Sequence, residues 1–547
     1  MTDTPAQLFE EILKYLWRSS PAHATSVGIH DHDDRLADFD AAAIAERVRR
    51  LSAFARDLAA LQEATVKPTP DELLDARVLR DAIEVDARLL SEMRAPFRDP
   101  GVYLDEILYG FYYLIQRDFT SLPERAWLAA RRLREGTRVL REARENLSRP
   151  DEIPLVWIEA VLGQVAGSAD FFAQVAREVV PIAGSGGADL AAAIRTTTEE
   201  LESFTGWLRS DLAPAARGDF AIGRPLFEFL LRTQHGLDLD SGDLHRFGVE
   251  RAKQARLRLE EAARGLDPGR GWEELVTAWK SDHPLEDDFI VHYRREVERA
   301  RAFVESKRLV TLPPGERLQV AETPSFQRAL CPFAAYLAPG AFESTRIGVL
   351  WVTPPSQGAS EEARRRHLED HLLAGIPGTA AHEAYPGHHL QLSIASRIAS
   401  RVRRSLLSPV MVEGWGFYCE EMMADEGFYG DPRSRVLQLK DELWRSCRVV
   451  IDVGIQTRGM SLDQAVGILH EEVRLAEASA RAEVRRYTRM PTQPMSYAVG
   501  KHEILKLRED YRRMRGPAFS LREFHDRFLS YGSIPIARIR ERLLEAA

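Results

Sequence analysis

Apolar residues recur three and four positions apart along most of this chain, and this spacing constrains its fold more than any other feature. Residues 41–64 and 70–93 show the pattern clearly, with charged residues between the apolar ones. Such spacing gathers apolar side chains on one face of an α-helix. Similar patterns cover residues 103–148, 155–180, 188–213, 241–263 and 285–307, and the pattern resumes near residue 361. The sequence therefore predicts a mainly α-helical protein.

Two short runs interrupt the helical pattern in the middle of the chain. ERLQVAETP (316–324) and TRIGVLWVTPP (345–355) contain β-branched and aromatic residues and end at proline. These features are typical of strands, so we expect a small β element before residue 381. Residues 345–352 are predicted to form either an edge strand that pairs with an extended peptide or a buried strand.

One segment is a candidate domain boundary. The length of 547 residues is enough for two or three compact subdomains. APAARGDFAIGRP (213–225) is rich in proline and glycine, which is typical of a loop between such units. We therefore expect an N-terminal helical scaffold at 1–220 and a catalytic half at 221–547.

Charge and composition argue against several classes of protein. The net charge of −9 does not favour a nucleic-acid-binding surface. No apolar run long enough to cross a membrane stands out, and the N-terminal residues lack the pattern of a secretion signal. The three cysteines lie far apart, which fits a reducing compartment. We therefore expect a cytoplasmic protein without a membrane or nucleic-acid partner; its oligomeric state stays open.

The segment AHEAYPGHHLQLS (381–393) is rich in residues that bind metals. In the zinc-binding pattern HExxH, the second histidine follows the first by four positions and shares its helix face. Here that position is Pro386, and the next histidine, His388, would point away from His382 on an unbroken helix. Proline removes a backbone N–H, and the following glycine tolerates unusual dihedrals. A two-residue bulge across Tyr385–Pro386 is therefore predicted to return His388 to the face of His382.

Further residues complete a candidate zinc site. His389, the alternative second ligand, needs no bulge, but it would lie about 10 Å further along the helix axis than His382. The third ligand is expected within SPVMVEGWGFYCEEMM (408–423), where Glu413 is a lone carboxylate among apolar and aromatic residues. Glu420 shares its face, and it is predicted either to lie on a solvated helix face or to support a ligand. Two histidines and one carboxylate favour Zn²⁺.

The strings HEAYPGHHLQ and EGWGFYCEE resemble a bacterial family known as domain of unknown function 885, which is grouped with the gluzincin-like zinc peptidases. The resemblance extends over nearly the whole chain, including TLPPGERLQVAETPSF and PTQPMSYAVGKHEI. It implies a large helical zinc-peptidase-like fold and a zinc-dependent hydrolase, with His382, His388 and Glu413 as metal ligands. The chain departs from the family at Gln456, where relatives usually carry histidine, which leaves a substrate contact there unsupported.

The same residues predict how such an enzyme would work. Glu383, adjacent to the first ligand, is predicted to be the general base. Tyr497 is expected either to stabilise the oxyanion or to pack in the core with its hydroxyl hydrogen-bonded. His389 is the next candidate for the oxyanion, and Tyr487 is a weaker one. The expected substrate is an oligopeptide or a small amide. The chain is therefore predicted to be a zinc metallopeptidase.

Two other functions stay open. The first is a zinc hydrolase of a non-peptide amide or an ester, which shares the same metal chemistry. The second is a non-catalytic helical binding protein with a structural metal site. A structural site is normally closed by four protein ligands and needs no base, so the presence of Glu383 favours an enzyme.

Two other groups of polar residues have a structural interpretation. HDHDD (30–34) is predicted to form a loop or helix cap, with a metal site as the alternative. Arg448 and Asp452 lie four positions apart on a predicted helix. We expect them to form an ion pair.

Overall fold

The computed structural model describes residues 4–61, 67–324, 328, 331, 333–356 and 358–545. In this part of the chain most residues are α-helical, and three short strands form one sheet. The prediction of a mainly α fold with a small β element before the histidine-rich segment is confirmed. The chain divides into two compact units.

The first unit comprises Met1–Phe220, Pro324–Leu330 and Pro339–Thr345. The last two segments lie within the half predicted to be catalytic, which the sequence did not indicate. The helices of this unit are α1 (Pro5–Ser19), α2 (Pro21–Val27), α3 (Ala41–Ala60), α4 (Pro70–Arg88), α5 (Ala95–Arg98), α6 (Gly101–Gln116), α7 (Leu122–Asn146), α8 (Leu155–Glu178) and α9 (Gly187–Trp207).

Helix α8 has an unusually apolar composition. Leu155–Ile182, which includes α8, is long and apolar enough to cross a membrane by length and composition alone. The sequence predicts a helix at 155–180 but no run of this length and apolarity, so that part of the expectation is corrected. Trp157, Ile158 and Val161 on this helix are fully buried, so packing accounts for part of its apolar character.

The second unit comprises Ala221–Thr323, Cys331–Ala338 and Arg346–Ala547. Its strands are β1 (Arg317–Glu322), β2 (Ala334–Leu337) and β3 (Ile347–Val352). Its helices are α10 (Gly223–Thr233), α11 (Ser241–Leu266), α12 (Trp272–Trp279), α13 (Phe289–Lys307), α14 (Glu361–Glu369), α15 (Ile376–Glu383), α16 (His388–Ala395), α17 (Arg401–Ser405), α18 (Pro409–Asp425), α19 (Pro432–Thr457), α20 (Leu462–Gly467), α21 (Glu477–Arg489), α22 (Ser496–Arg515), α23 (Leu521–Leu529) and α24 (Ile536–Glu545).

The sheet has the strand order β1-β3-β2. Strand β3 pairs parallel with β1 and antiparallel with β2, where Leu350 lies opposite Tyr336. The prediction that residues 345–352 form an edge strand is therefore wrong, because β3 is hydrogen-bonded on both sides. The alternative, a buried strand, is confirmed by the burial of Leu350 and Val352.

Two glycines bring α18 and α22 into close contact. A Cβ atom on Gly414 would lie 2.5 Å from the Cα atom of Gly500. The two backbones meet closely because neither residue has a side chain. This contact brings Glu413, which precedes Gly414, close to the first turn of α22, which carries Tyr497.

Candidate metal centre

The helix that carries His382 is interrupted before His388. Helix α15 ends at Glu383 and α16 begins at His388. The N–H of Leu390 donates to the carbonyl of Ala384 over 3.4 Å, two residues beyond the partner that a regular helix would provide. The predicted bulge thus corresponds to a break of four residues that inserts two extra positions into the hydrogen-bond ladder.

Tight packing accompanies this break. A Cβ atom on Gly387 would lie 1.7 Å from the carbonyl oxygen of His382, so only glycine fits here. The indole N–H of Trp415 donates to the carbonyl of Pro386 over 2.8 Å. The break is therefore hydrogen-bonded to α18, the helix that carries Glu413.

The break brings three candidate ligands together. Oε2 of Glu413 lies 3.8 Å from Nε2 of His382 and 3.5 Å from Nε2 of His388. One nitrogen or oxygen from each residue lies within 4.8 Å of those of the other two. The two imidazole rings are nearly perpendicular, with centroids 4.7 Å apart. Across the described chain, these three residues form the one group of at least three potential ligands that could share an ion.

The space around these atoms fits a metal ion. A Cβ atom on Gly416 would lie 2.8 Å from Nε2 of His382, so a glycine keeps the ligand side of this ring clear. Two imidazoles and one carboxylate are the donor set of many zinc sites that leave a position open. His388 has no comparable second contact, because its buried Nδ1 lacks a hydrogen-bond partner among the described residues.

Glu420 orients the ring of His382. Its Oε1 lies 2.7 Å from Nδ1 of His382 and 3.4 Å from a guanidinium nitrogen of Arg445. A proton on Nδ1 that donates to Glu420 leaves the Nε2 lone pair for a metal. The sequence left Glu420 open between a solvated helix face and a supporting role; its burial excludes the solvated face. The sequence offered no signal for Arg445.

The electrostatics of the cluster favour a cation. Burial lowers the pKa of His382, but the neighbouring carboxylate of Glu413 and the hydrogen-bonded carboxylate of Glu420 outweigh it and raise that pKa to about 10. Burial raises the pKa of Glu413, but the two histidines outweigh it, so its pKa lies well below the usual value. Two carboxylates therefore hold a positive charge at His382, and a metal ion would replace the proton.

Tyr497 lies beside the cluster. Its ring centroid is 6.3 Å from that of His382, with the planes inclined by 26°. The side-chain amide nitrogen of Gln493 lies 3.4 Å from the Tyr497 hydroxyl and 3.5 Å from Oε1 of Glu413. Burial, with the charge of Glu413, raises the pKa of Tyr497 to about 12. At neutral pH this hydroxyl thus keeps its proton and can donate a hydrogen bond.

Glu383 is half-buried at the end of α15. Its Oε2 accepts a hydrogen bond of 3.1 Å from the backbone N–H of Tyr336 on β2. This contact places the predicted general base beside β2, an edge strand of the sheet. The sequence had instead suggested β3 as the edge strand. The sequence offered no signal for Tyr336, because the contact spans 47 positions.

His389 does not join the cluster. Its Nε2 lies 2.6 Å from Oε2 of Glu316, and its Nδ1 lies 3.1 Å from the hydroxyl of Tyr336. The side chain is fully buried. Because both ring nitrogens are already hydrogen-bonded, the predicted roles of His389 as oxyanion donor or alternative ligand do not fit its position.

On α19, Arg448 and Asp452 do not pair with each other. The predicted ion pair is wrong: Arg448 binds Glu483 over 3.1 Å. Asp452 instead accepts backbone N–H groups from Thr492 and Met495. A tertiary partner thus replaces the neighbour one helical turn away.

Tyr487 on α21 and Gln456 on α19 both make structural contacts. The hydroxyl of Tyr487 donates to Glu483 over 2.7 Å. Gln456 is fully buried and accepts from the backbone N–H of Ile222. Neither side chain has the placement of a substrate-binding group.

HDHDD forms a hydrogen-bonded turn. Nδ1 of His30 lies 2.8 Å from Oδ2 of Asp33, and the His30 ring stacks on Phe119. Oδ1 of Asp33 lies 3.6 Å from a guanidinium nitrogen of the buried Arg132. These contacts fit the expected structural role.

Comparison with known proteins identifies the family. The family described as "Bacterial protein of unknown function (DUF885)" matches residues 21–543. The chain belongs to this family. No curated protein matches it.

Two solved structures are similar over nearly their whole length. A candidate lipoprotein of unknown function from Shewanella oneidensis is 26% identical, with a TM-score of 0.79 and coverage of 99% of this chain and 100% of that chain. A candidate lipoprotein from Colwellia psychrerythraea is 18% identical, with a TM-score of 0.83 and coverage of 99% and 98%. The second likeness concerns the fold alone.

Proposed function

We propose that the chain is a zinc-dependent hydrolase with a zinc-peptidase-like fold and a peptide or small amide as its substrate. The observation that carries this proposal is the convergence of His382, His388 and Glu413, whose ligand atoms lie within 4.8 Å of one another. Three protein ligands leave a position for water and substrate, as in catalytic zinc sites. Imidazole donors favour zinc over magnesium or calcium.

Glu383 supplies the base that such a reaction requires. A bound zinc ion would acidify a water molecule and polarise the carbonyl group of the substrate. Glu383 directly follows the first ligand, and its half-buried carboxylate would accept the proton and return it to the leaving amine. The hydrogen bond from the N–H of Tyr336 holds one carboxylate oxygen in place.

Tyr497 supplies a donor for the oxyanion that develops. Its hydroxyl keeps its proton at neutral pH, since its pKa is about 12. Gln493 contacts both this hydroxyl and Glu413, so it holds the tyrosine beside the ligand. Donors already in position stabilise a transition state without reorganisation.

The alternatives differ in what they require of the site. A hydrolase of a non-peptide amide or ester would use the same residues, so only a comparison of substrates distinguishes it from a peptidase. A structural site would need a fourth protein ligand, and the cluster in the described chain has three. A cytoplasmic location stays a prediction from the sequence; the lipoprotein description belongs to the two similar proteins.

Metal analysis and peptide hydrolysis test the proposal together. We expect about one zinc per chain in the wild type, loss of zinc in His388→Ala, and full zinc without hydrolysis in Glu383→Gln. His470→Ala is the matched control, because His470 precedes another glutamate but is exposed. A wild-type chain that takes up no zinc, or a Glu383→Gln variant that hydrolyses peptides normally, would refute the proposal.

A further inference from the structure

Two arginines near the candidate centre share one carboxylate. Guanidinium nitrogens of Arg448 and Arg486 lie 3.1 Å and 3.0 Å from Oε2 of Glu483. The hydroxyl of Tyr487 donates to the same oxygen. Three donors thus converge on a single carboxylate oxygen, and this group of side chains carries one more positive than negative charge.

One N–H donor of the buried Arg448 side chain is left without a hydrogen bond. Its side chain is 8% exposed, and its Nε has no hydrogen-bond partner among the described residues. Its guanidinium carbon lies 4.5 Å from the ring centroid of Trp444 and 4.8 Å from that of Tyr497. Aromatic faces attract the cation, but they do not satisfy N–H groups, and unsatisfied buried donors are costly. A bound anion would satisfy them.

The arginines are connected to the candidate centre. A guanidinium nitrogen of Arg486 donates to the side-chain oxygen of Gln493 over 3.2 Å, and the amide nitrogen of Gln493 contacts Glu413. The same Tyr497 ring that packs on Arg448 also lies beside His382. The side chains of Arg486 and Glu413 are 29% and 21% exposed, so each keeps part of its surface uncovered.

We propose that Arg448 and Arg486 form a subsite that binds a carboxylate of the substrate next to the bond to be cleaved. This inference rests on the proposed function and narrows its substrates to peptides with a carboxylate next to the bond to be cleaved. The planar guanidinium group matches a carboxylate in geometry and charge. A third arginine, Arg445, is not part of the subsite, since it contacts Glu420 behind His382. The carboxylate belongs to the peptide C-terminus or to an acidic side chain.

Titration calorimetry on the full-length Glu383→Gln chain tests the subsite without turnover. The probes are an acetylated dipeptide as the free acid, the same dipeptide as its amide, and an amide with an aspartate side chain. We expect at least one carboxylate form to bind at least tenfold more tightly than the neutral amide. Adding Arg486→Gln should abolish that preference. Arg481→Gln on the same helix should keep it, because Arg481 pairs with Asp463 and Glu477.

Arg448→Lys is the second variant, since it keeps the charge but not the planar group. We expect it to weaken carboxylate binding while the affinity for the neutral amide is unchanged. Tighter binding of the free acid assigns the subsite to the C-terminus, and tighter binding of the aspartate peptide assigns it to a side chain. Equal affinities for all three peptides, no binding at all, or a preference that survives Arg486→Gln would overturn the inference.

Calorimetry also separates this inference from the proposed function. Carboxylate binding that depends on Arg486, together with a zinc-loaded wild-type chain that hydrolyses no peptide, would retain the subsite and reject the enzyme. Hydrolysis with no preference for a carboxylate would retain the enzyme and reject the subsite.

Discussion

Nδ1 of His382 lies 2.7 Å from Oε1 of Glu420, and this contact determines which ring nitrogen of His382 faces Glu413. Replacing Glu420 with glutamine weakens this acceptor and allows the ring to rotate or change tautomer. Comparable changes behind a ligand lower metal affinity by about 10- to 100-fold. We expect that loss in Glu420→Gln, measured by competition with a zinc chelator. Glu426→Gln, just beyond the end of the same helix, should match the wild type; an unchanged affinity in Glu420→Gln would contradict the prediction.

The charge state of His382 predicts how zinc affinity depends on pH. Its pKa of about 10 means that the site without an ion holds a proton at neutral pH. Zinc must displace that proton, so we expect the affinity to fall roughly tenfold for each unit of pH between 8 and 6. Chelator competition at three pH values measures the slope. An affinity independent of pH, after correction for the chelator, would show that His382 carries no proton in the ion-free site over this range.

Gly416 is predicted to keep the ligand side of His382 open. The Cβ atom of alanine would lie 2.8 Å from Nε2 of that ring, closer than an ordinary contact. We expect Gly416→Ala to lose most of its bound zinc while keeping its helical circular dichroism. Gly430→Ala is the control, because nothing lies within 4 Å of a Cβ atom there. Normal zinc content in Gly416→Ala would mean that the ring can move aside.

His389 is expected to support β2 without binding metal. It joins Glu316 to the hydroxyl of Tyr336, the residue whose N–H contacts Glu383. We expect His389→Gln to destabilise the fold by about 1–3 kcal/mol, the cost of buried groups left unpaired. Its zinc content should equal that of the wild type. Urea denaturation and elemental analysis check the two parts, and zinc loss in a folded variant would make His389 a ligand after all.

Asp452 predicts a pH dependence of stability. Burial raises its pKa from 3.8 to about 8, although hydrogen bonds from Thr492 and Met495 oppose the change. Because the folded pKa exceeds the unfolded value, the folded chain holds more protons across that range, and the contribution of this group to stability falls as pH rises. We compare the free energies of unfolding of the wild type and of Asp452→Asn. The wild-type value minus the variant value should decrease from pH 5 to pH 8. Urea denaturation measures both free energies, and a constant difference would place the carboxylate pKa in the folded chain below this range.

Several features were predictable because they depend on nearby residues. Helical periodicity spans a few turns, so most helices follow from the positions of apolar residues. The interruption before His388 follows from proline, which lacks the N–H that the helix requires. Even so, the bulge was predicted across Tyr385–Pro386, whereas the helix is broken from Ala384 to Gly387.

Other predictions were wrong because residues far away in the chain compete for the same side chain or strand. Arg448 and Asp452 are well spaced for an ion pair, yet Glu483 is the partner of Arg448. An isolated pair on a helix contributes only about 0.2–0.5 kcal/mol, which is too little to decide the outcome. Likewise, nothing within β3 indicates that strands bind it on both sides.

The sequence by itself determined the helical class, the family and the residue types available for a metal site, because composition, periodicity and motifs are local properties. Only the tertiary structure decided which residues meet. The close approach of α18 and α22 at Gly414 and Gly500 brings Glu413 near Tyr497. His388 faces Glu413, whereas His389 is hydrogen-bonded to Glu316. Packing and the pairing of buried charges connect residues far apart in the chain, and such contacts leave no fixed spacing in a single sequence.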